Sequence, residues 1–166
     1  MPFHIGSWNM VFPQTILESS ILAANSMDMV RIYLHAIIYV ADGKRPFDES
    51  LRSEAAAFTK TVLHYKGLHC ESVCVLPDHV HLLLHVPIGA EVERGLTTLR
   101  YWLSDYVERH STQPSFEWQE RMWIVSKSPC DVSAMEKYFR RQHDYHANHT
   151  IEEEWEDMMD LEEIEN

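Results

Sequence analysis

Hydrophobic and polar positions along this chain alternate, then cycle, then alternate again. Over Arg31–Val40 the residues Ile32, Leu34, Ala36, Ile38 and Val40 fall on one side of an extended segment. Tyr33, His35 and Tyr39 fall on the other, the period-2 pattern of a strand. Ala41-Asp42-Gly43-Lys44-Arg45-Pro46 reads as a loop. Leu51, Ala55, Phe58, Val62 and Tyr65 recur at helical spacing, and Gly67 is placed to end that helix. Leu68–Leu76 reads as a second strand, Pro77-Asp78 as a turn and His79–Val86 as a third strand. Val92, Leu96, Leu99, Leu103 and Tyr106 mark a second amphipathic helix, and Met122–Ser126 a fourth strand. Met135–His146 has no Gly or Pro and reads as a final helix, with Ser133 and Glu136 spaced as a capping box. Met1–Met29 lacks clear periodicity, with at most a short helix around Ile16–Ala24.

The order β-α-β-β-α-β followed by a helix predicts an α+β fold. It is that of a ferredoxin-like (RRM-like) antiparallel sheet. The first and third strands are then central neighbours. That sets His35 beside His79 and His81, which share one face of the third strand with Leu83 and His85 behind them. Val80, Leu82, Leu84 and Val86 face the core.

Length, at 166 residues, fits one domain with a sizeable core. No apolar run is long enough to span a bilayer, and no secretory signal is visible, so no membrane association is expected. Cys70, Cys74 and Cys130 are odd in number and lack C-x-x-C spacing, as expected of a reduced, cytoplasmic protein. The net charge of -12 excludes a broad basic surface. Nine of the acidic residues lie in Glu152–Asn166, which has no Lys or Arg. Residues 1–151 carry 17 acidic side chains against 14 Lys and Arg. The chain therefore reads as a nearly neutral domain followed by an acidic tail, expected to be a solvated helix or a disordered end.

Two imidazoles on one strand face, His79 and His81, supply half of a divalent-metal site, or else an ordinary half-exposed strand. Tyr138, Gln142 and His146 stand at i, i+4 and i+8 on the last helix and share a face. A phenol one turn from an amide makes a poor core stripe. It reads as a tyrosine nucleophile beside a metal-binding amide, or as the edge of an amphipathic helix.

Pro77-Asp78-His79-Val80-His81-Leu82-Leu83, followed by Tyr138-Phe-x-x-Gln142 and His146, resembles the single-tyrosine HUH transposases. These are the transposases of single-strand insertion sequences and of REP-associated elements. The resemblance runs from about Arg31 to Trp155. It includes Leu34-His35, Lys44-Arg45-Pro46-Phe47, Phe116-x-Trp118-Gln119, Val125-Ser126-x-Ser128 and Ile151-Glu152-Glu153-Glu154-Trp155. The chain departs from the family in its acidity and in Arg141, where Asn is frequent.

The resemblance implies the same fold and a partition into an extension (1–29), an HUH transposase-like catalytic domain (30–150) and the acidic tail (151–166). It implies cleavage and rejoining of single-stranded DNA, with hairpin ends, through a 5′-phosphotyrosine on Tyr138. The implied cofactor is a divalent metal, Mg or Mn, on His79, His81 and Gln142. His35 and His146 stand behind the metal or near the phosphate, His85 lies past the site, and a homodimer is expected. Lys44, Arg45, Arg100, Arg121, Lys127, Arg140 and Arg141 are the cations available to phosphates. Tyr101, Trp102, Trp118 and Trp123 are available to stack on bases or to fill the core. The alternatives are a non-catalytic nucleic-acid-binding module on the same sheet, or a phosphoesterase without a covalent step.

Overall fold

The computed structural model describes residues 30–111 and 115–164, with side chains to residue 160. The helix expected around Ile16–Ala24 lies outside the described residues. The elements run β1 (Tyr33–Val40), α1 (Glu49–Tyr65), β2 (His69–Val75), β3 (His79–His85), α2 (Val92–His110), β4 (Trp118–Lys127), α3 (Val132–Tyr145) and α4 (Ile151–Ile164). A 3-10 turn, Pro129–Asp131, precedes α3. The four strands form one antiparallel sheet in the order β2-β3-β1-β4. That is the expected α+β, ferredoxin-like arrangement, with β1 and β3 at the centre.

Alternation along the central strands separates two faces. Ala36, Ile38 and Val40 of β1 join Val80, Leu82 and Leu84 of β3 beneath α1 and α2. Leu51, Ala55, Val62 and Leu63 come down from α1, and Leu96, Leu99 and Leu103 from α2. Each such Val, Leu or Ile side chain stabilises the fold by about 1.5–3 kcal/mol on burial. α1 starts where the Asp48 carboxylate accepts from the Leu51 amide at 3.0 Å. It ends before Gly67, whose φ of 75° favours glycine. Gly95 lets α2 lie close, since a Cβ there would fall 2.5 Å from Leu68 Cδ1.

The opposite face is covered by the last two helices. Phe139 of α3 packs on Cys74, Leu76 and Leu83. Met158 of α4 packs on Ile37 and Tyr39, with Trp123, Ile151 and Trp155 around it. Three expectations change here. β4 begins at Trp118, well before Met122, because its pairing with β1 extends to Val40. The capping box is Ser128–Asp131 rather than Ser133–Glu136, with Pro129 starting the turn. The acidic segment is not a wholly solvated tail: α4 turns Glu154, Trp155 and Met158 toward the sheet.

Candidate metal centre and tyrosine site

β3 leaves the Pro77-Asp78 turn with His79 and His81 on the face away from α1 and α2, both fully buried. Their Nε2 atoms stand 3.1 Å apart. The far nitrogens are held from behind. His79 Nδ1 donates to Asp78 Oδ1 at 2.7 Å, and His81 Nδ1 lies 3.1 Å from His35 Nε2. A ring fixed at Nδ1 presents Nε2 forward, the usual way a metal-binding imidazole is oriented. Burial, followed by the nearby Lys127 charge, pushes His35 down to about 4. Burial, with His79 and His35 nearby, holds His81 well below the ordinary histidine range. His35 and His81 are thus neutral at pH 7, and a neutral imidazole is a ligand.

α3 brings Tyr138, Gln142 and its cap residue His146 to the same place. The His146 ring centroid lies 4.6 Å from that of His79. The Tyr138 ring meets those of His35 and His81 edge-on, each at 5.9 Å. Gln142 is 1% exposed, and its Oε1 is buried without a hydrogen-bond partner among the described residues.

The residue that sequence reasoning missed as a site member is Glu154. It stands on α4 and is 2% exposed. Its carboxylate lies 3.2 Å from His146 Nε2, 3.4 Å from His81 Nε2 and 3.7 Å from His79 Nε2. Its Oε1 also accepts the Tyr138 hydroxyl hydrogen. One acid among nine gives no signal by composition. The signal was periodicity: Ile151, Glu154, Trp155 and Met158 fall at i, i+3, i+4 and i+7 on one face.

Four ligand-type atoms of His79, His81, His146 and Glu154 lie within 4.8 Å of one another. Glu154 Oε2 and His146 Nε2 are buried, and neither makes a hydrogen bond among the described residues. Buried polar atoms without partners are costly. His79, His81, His146 and Glu154 could together hold a metal ion, and Gln142 Oε1, one turn from Tyr138 on α3, is a further buried oxygen without a partner among the described residues. Burial opposes ionisation of Glu154, but His146, Tyr138 and His79 outweigh it and hold the carboxyl below its ordinary range. Burial first, then the Glu154 charge, raises the Tyr138 phenol far above its ordinary value.

The cations are spread. Lys127 lies beside His35 in a cavity of about 530 Å³ that Tyr138, Trp123, Met135 and Met158 also line. Arg45 reaches Asp78 at 4.0 Å. Arg121, Arg140 and Arg141 are exposed. Lys44 is engaged with the Ser115 carbonyl at 2.9 Å. Arg100 points away from the site, donating to the carbonyls of Glu120 and Arg121 at 3.4 and 3.3 Å. Trp118 is a packing residue, donating to Arg100 O and Ser104 Oγ. Trp102 stacks on Tyr65 on the helical layer, and Tyr101 is exposed. His85 stacks with His69 and meets Tyr33 at a tilt, away from the cluster.

A family model described as "Transposase IS200 like" matches residues 28–142. Among solved structures, a "putative transposase" of Deinococcus radiodurans R1 is similar with a TM-score of 0.55 and 16% identity. That match covers 69% of this chain and 93% of the other. A REP-associated tyrosine transposase bound to a REP hairpin is similar with a TM-score of 0.54 and 13% identity, covering 72% of each chain. At these identities the two structures are alike in fold. No curated protein sequence matches the chain. Among the described residues, no helix is long and apolar enough to cross a membrane.

Proposed function

The chain belongs to the IS200-like transposase family, and from that premise we propose that it cuts and rejoins single-stranded DNA through Tyr138. The observation that carries this reading is the meeting of β3 and α3. The Tyr138 ring lies against His35 and His81, beside a buried cluster of metal-ligand type. A module that only bound nucleic acid would have no use for a buried phenol directed at such a cluster.

His79, His81 and the Gln142 carbonyl oxygen would hold a divalent cation, Mn or Mg. When bound there, the ion supplies charge neutralisation at the scissile phosphate and at the departing 3′ oxygen. Asp78 and His35 keep the two imidazoles turned toward the centre. The Tyr138 oxygen attacks the phosphorus and gives up its hydroxyl proton, the bond to the 3′ oxygen breaks with a proton taken up there to leave a 3′-hydroxyl, and the tyrosine carries the 5′ phosphate. The energy of the phosphodiester is kept in that linkage, so a later 3′-hydroxyl attack reseals the strand without ATP. Lys127 and Arg45, flanking the cluster, would meet the backbone phosphates. The substrate is single-stranded DNA with a hairpin end, by analogy with the hairpin-bound structural neighbour. The acting form is a homodimer, and free Cys70, Cys74 and Cys130 fit the cytoplasm.

The test is incubation of hairpin-ended single-stranded oligonucleotides with the protein and Mn or Mg. A protein–DNA adduct that survives denaturation and requires the ion is expected. Absence of any adduct across a library of hairpin and linear strands would overturn the reading. Light scattering that finds a monomer at all concentrations, with cleavage intact, would remove the dimer from it.

A further inference from the structure

Glu154 is a carboxylate taken out of water. Glu152, Glu153 and Glu156 on the same helix stay exposed, whereas Glu154 is 2% exposed. Burying an ionised carboxylate costs several kcal/mol unless charge and hydrogen bonds compensate it. No Lys or Arg ion pair with it is found among the described residues. The nitrogens it faces are those of His79, His81 and His146, and its Oε2 is left without a hydrogen bond among the described residues. A divalent cation among these four clustered ligand groups would neutralise the buried carboxylate.

The two oxygens of the carboxylate face different neighbours. Oε2 stands 3.2 Å from His146 Nε2 and 3.7 Å from His79 Nε2, and makes no hydrogen bond among the described residues. Oε1 stands 3.4 Å from His81 Nε2 and accepts the hydroxyl hydrogen of Tyr138. Met158, one turn further along α4, is anchored on Ile37 and Tyr39, so the helix that presents the carboxylate is itself fixed to the sheet.

We propose that Glu154 is a protein ligand of the divalent cation shared with His79, His81 and His146, and that its second oxygen holds the Tyr138 hydroxyl against that ion. Glu154 then has two roles on one side chain. It is a metal ligand supplied by the last helix, and it is the positioning residue of the tyrosine. A donor set rich in imidazole favours Mn over Mg, which prefers an oxygen shell. The positioning role rests on the reading of Tyr138 as nucleophile; the ligand role does not.

The experiment compares wild type, Glu154→Gln, Glu154→Asp and Tyr138→Phe as full-length proteins. Mn affinity is measured by calorimetry without DNA. The environment of ¹³C-labelled Tyr138 is followed by NMR as Mg is added. Adduct formation is timed in single turnover at saturating Mn and DNA. Glu154→Gln keeps the shape of the side chain, and circular dichroism reports its fold. We expect Glu154→Gln to bind Mn at least roughly tenfold more weakly, in line with the loss seen even for residues behind a ligand. Glu154→Asp should recover part of that loss, and Tyr138→Phe should bind like wild type. The Tyr138 resonance should shift with Mg in wild type and not in Glu154→Gln. Adduct formation in Glu154→Gln should be slow even when metal and DNA are saturating. Wild-type Mn affinity in a folded Glu154→Gln protein would overturn the ligand role. Adduct formation as fast as wild type, or faster, would overturn the positioning role. If wild type forms no adduct while Glu154→Gln still loses Mn, the ligand role is supported and the DNA-cleavage reading fails on its own.

Discussion

Asp78 Oδ1 lies 2.7 Å from His79 Nδ1, so the residue that ends the turn also sets the tautomer of the first strand histidine. Burial works against an ionised Asp78, yet the hydrogen bond from His79, with Arg45 nearby, holds its carboxyl below the usual range. An acceptor at Nδ1 leaves Nε2 with a free lone pair toward the centre. Asp78→Ala removes that constraint at a partly exposed position and should leave the fold intact. Mn affinity by calorimetry should fall by about 10–100-fold. Unchanged affinity would mean that the strand alone orients the ring.

The Tyr138 hydroxyl has one task in the proposed reaction, and its ring has another in packing with Phe139 against β1 and β3. Tyr138→Phe keeps the ring and removes the oxygen. Covalent adduct should disappear on denaturing gels, while Mn and single-stranded DNA binding stay within about twofold, since the lost phenol is neither ligand nor charge. An adduct that persists would move the nucleophile. Tyr145, which donates to Asp157 at 2.7 Å, is the next phenol on the helix.

Much of this site was legible because strands have an exact period of two. His79-Val80-His81 fixes both rings on one face once β3 is recognised, and the β1–β3 pairing follows from element order. Tyr138, Gln142 and His146 were legible from helical spacing. β4 was read short because Gln119, Glu120 and Arg121 are polar. On this edge strand Glu120 and Arg121 are exposed, so tertiary pairing with β1, not local pattern, sets its start. Glu154 was hidden by its neighbours. Its role depends on α4 folding back over the sheet after the His146–Thr150 turn, a long-range event that charge counting cannot foresee. The packing face of Ile151, Trp155 and Met158 carried the hint.

The thiols offer a test of the core that does not depend on activity. Burial pushes Cys70 up to about 12 and Cys74 up to about 11, while Cys130 is exposed. A thiol reacts as its thiolate. At pH 8 a group of pKa 11 is ionised to roughly one part in a thousand, and its burial slows reagent access further. An aromatic disulfide reagent at pH 8 should therefore titrate one thiol quickly in the native protein and all three only in denaturant. Raising the pH toward 11 should speed Cys74 before Cys70. Rapid reaction of all three at pH 8 would show that β2 opens easily.

The acidic helix should also affect DNA binding, through the carboxylates that do not point inward. Glu152, Glu156 and Asp160 are exposed on α4, the helix that presents Glu154 to Tyr138. Fixed negative charge repels phosphate over about a Debye length, ~8 Å at physiological salt and ~3 Å at 1 M. Deleting everything after Trp155 would also remove Met158 from its packing on Ile37 and Tyr39, so a truncated protein mixes loss of charge with loss of α4 docking. Neutralising Glu152, Glu156 and Asp160 to their amides separates the two. The triple variant should keep the wild-type melting temperature within a few degrees and bind single-stranded DNA several-fold more tightly at low salt, on the order of 3–10-fold. The difference should shrink steadily as salt rises, because the charges act through solvent rather than by contact. Binding no tighter than wild type at low salt would show that these carboxylates lie clear of the DNA path. In that case only the buried Glu154 on this helix would bear on the reaction.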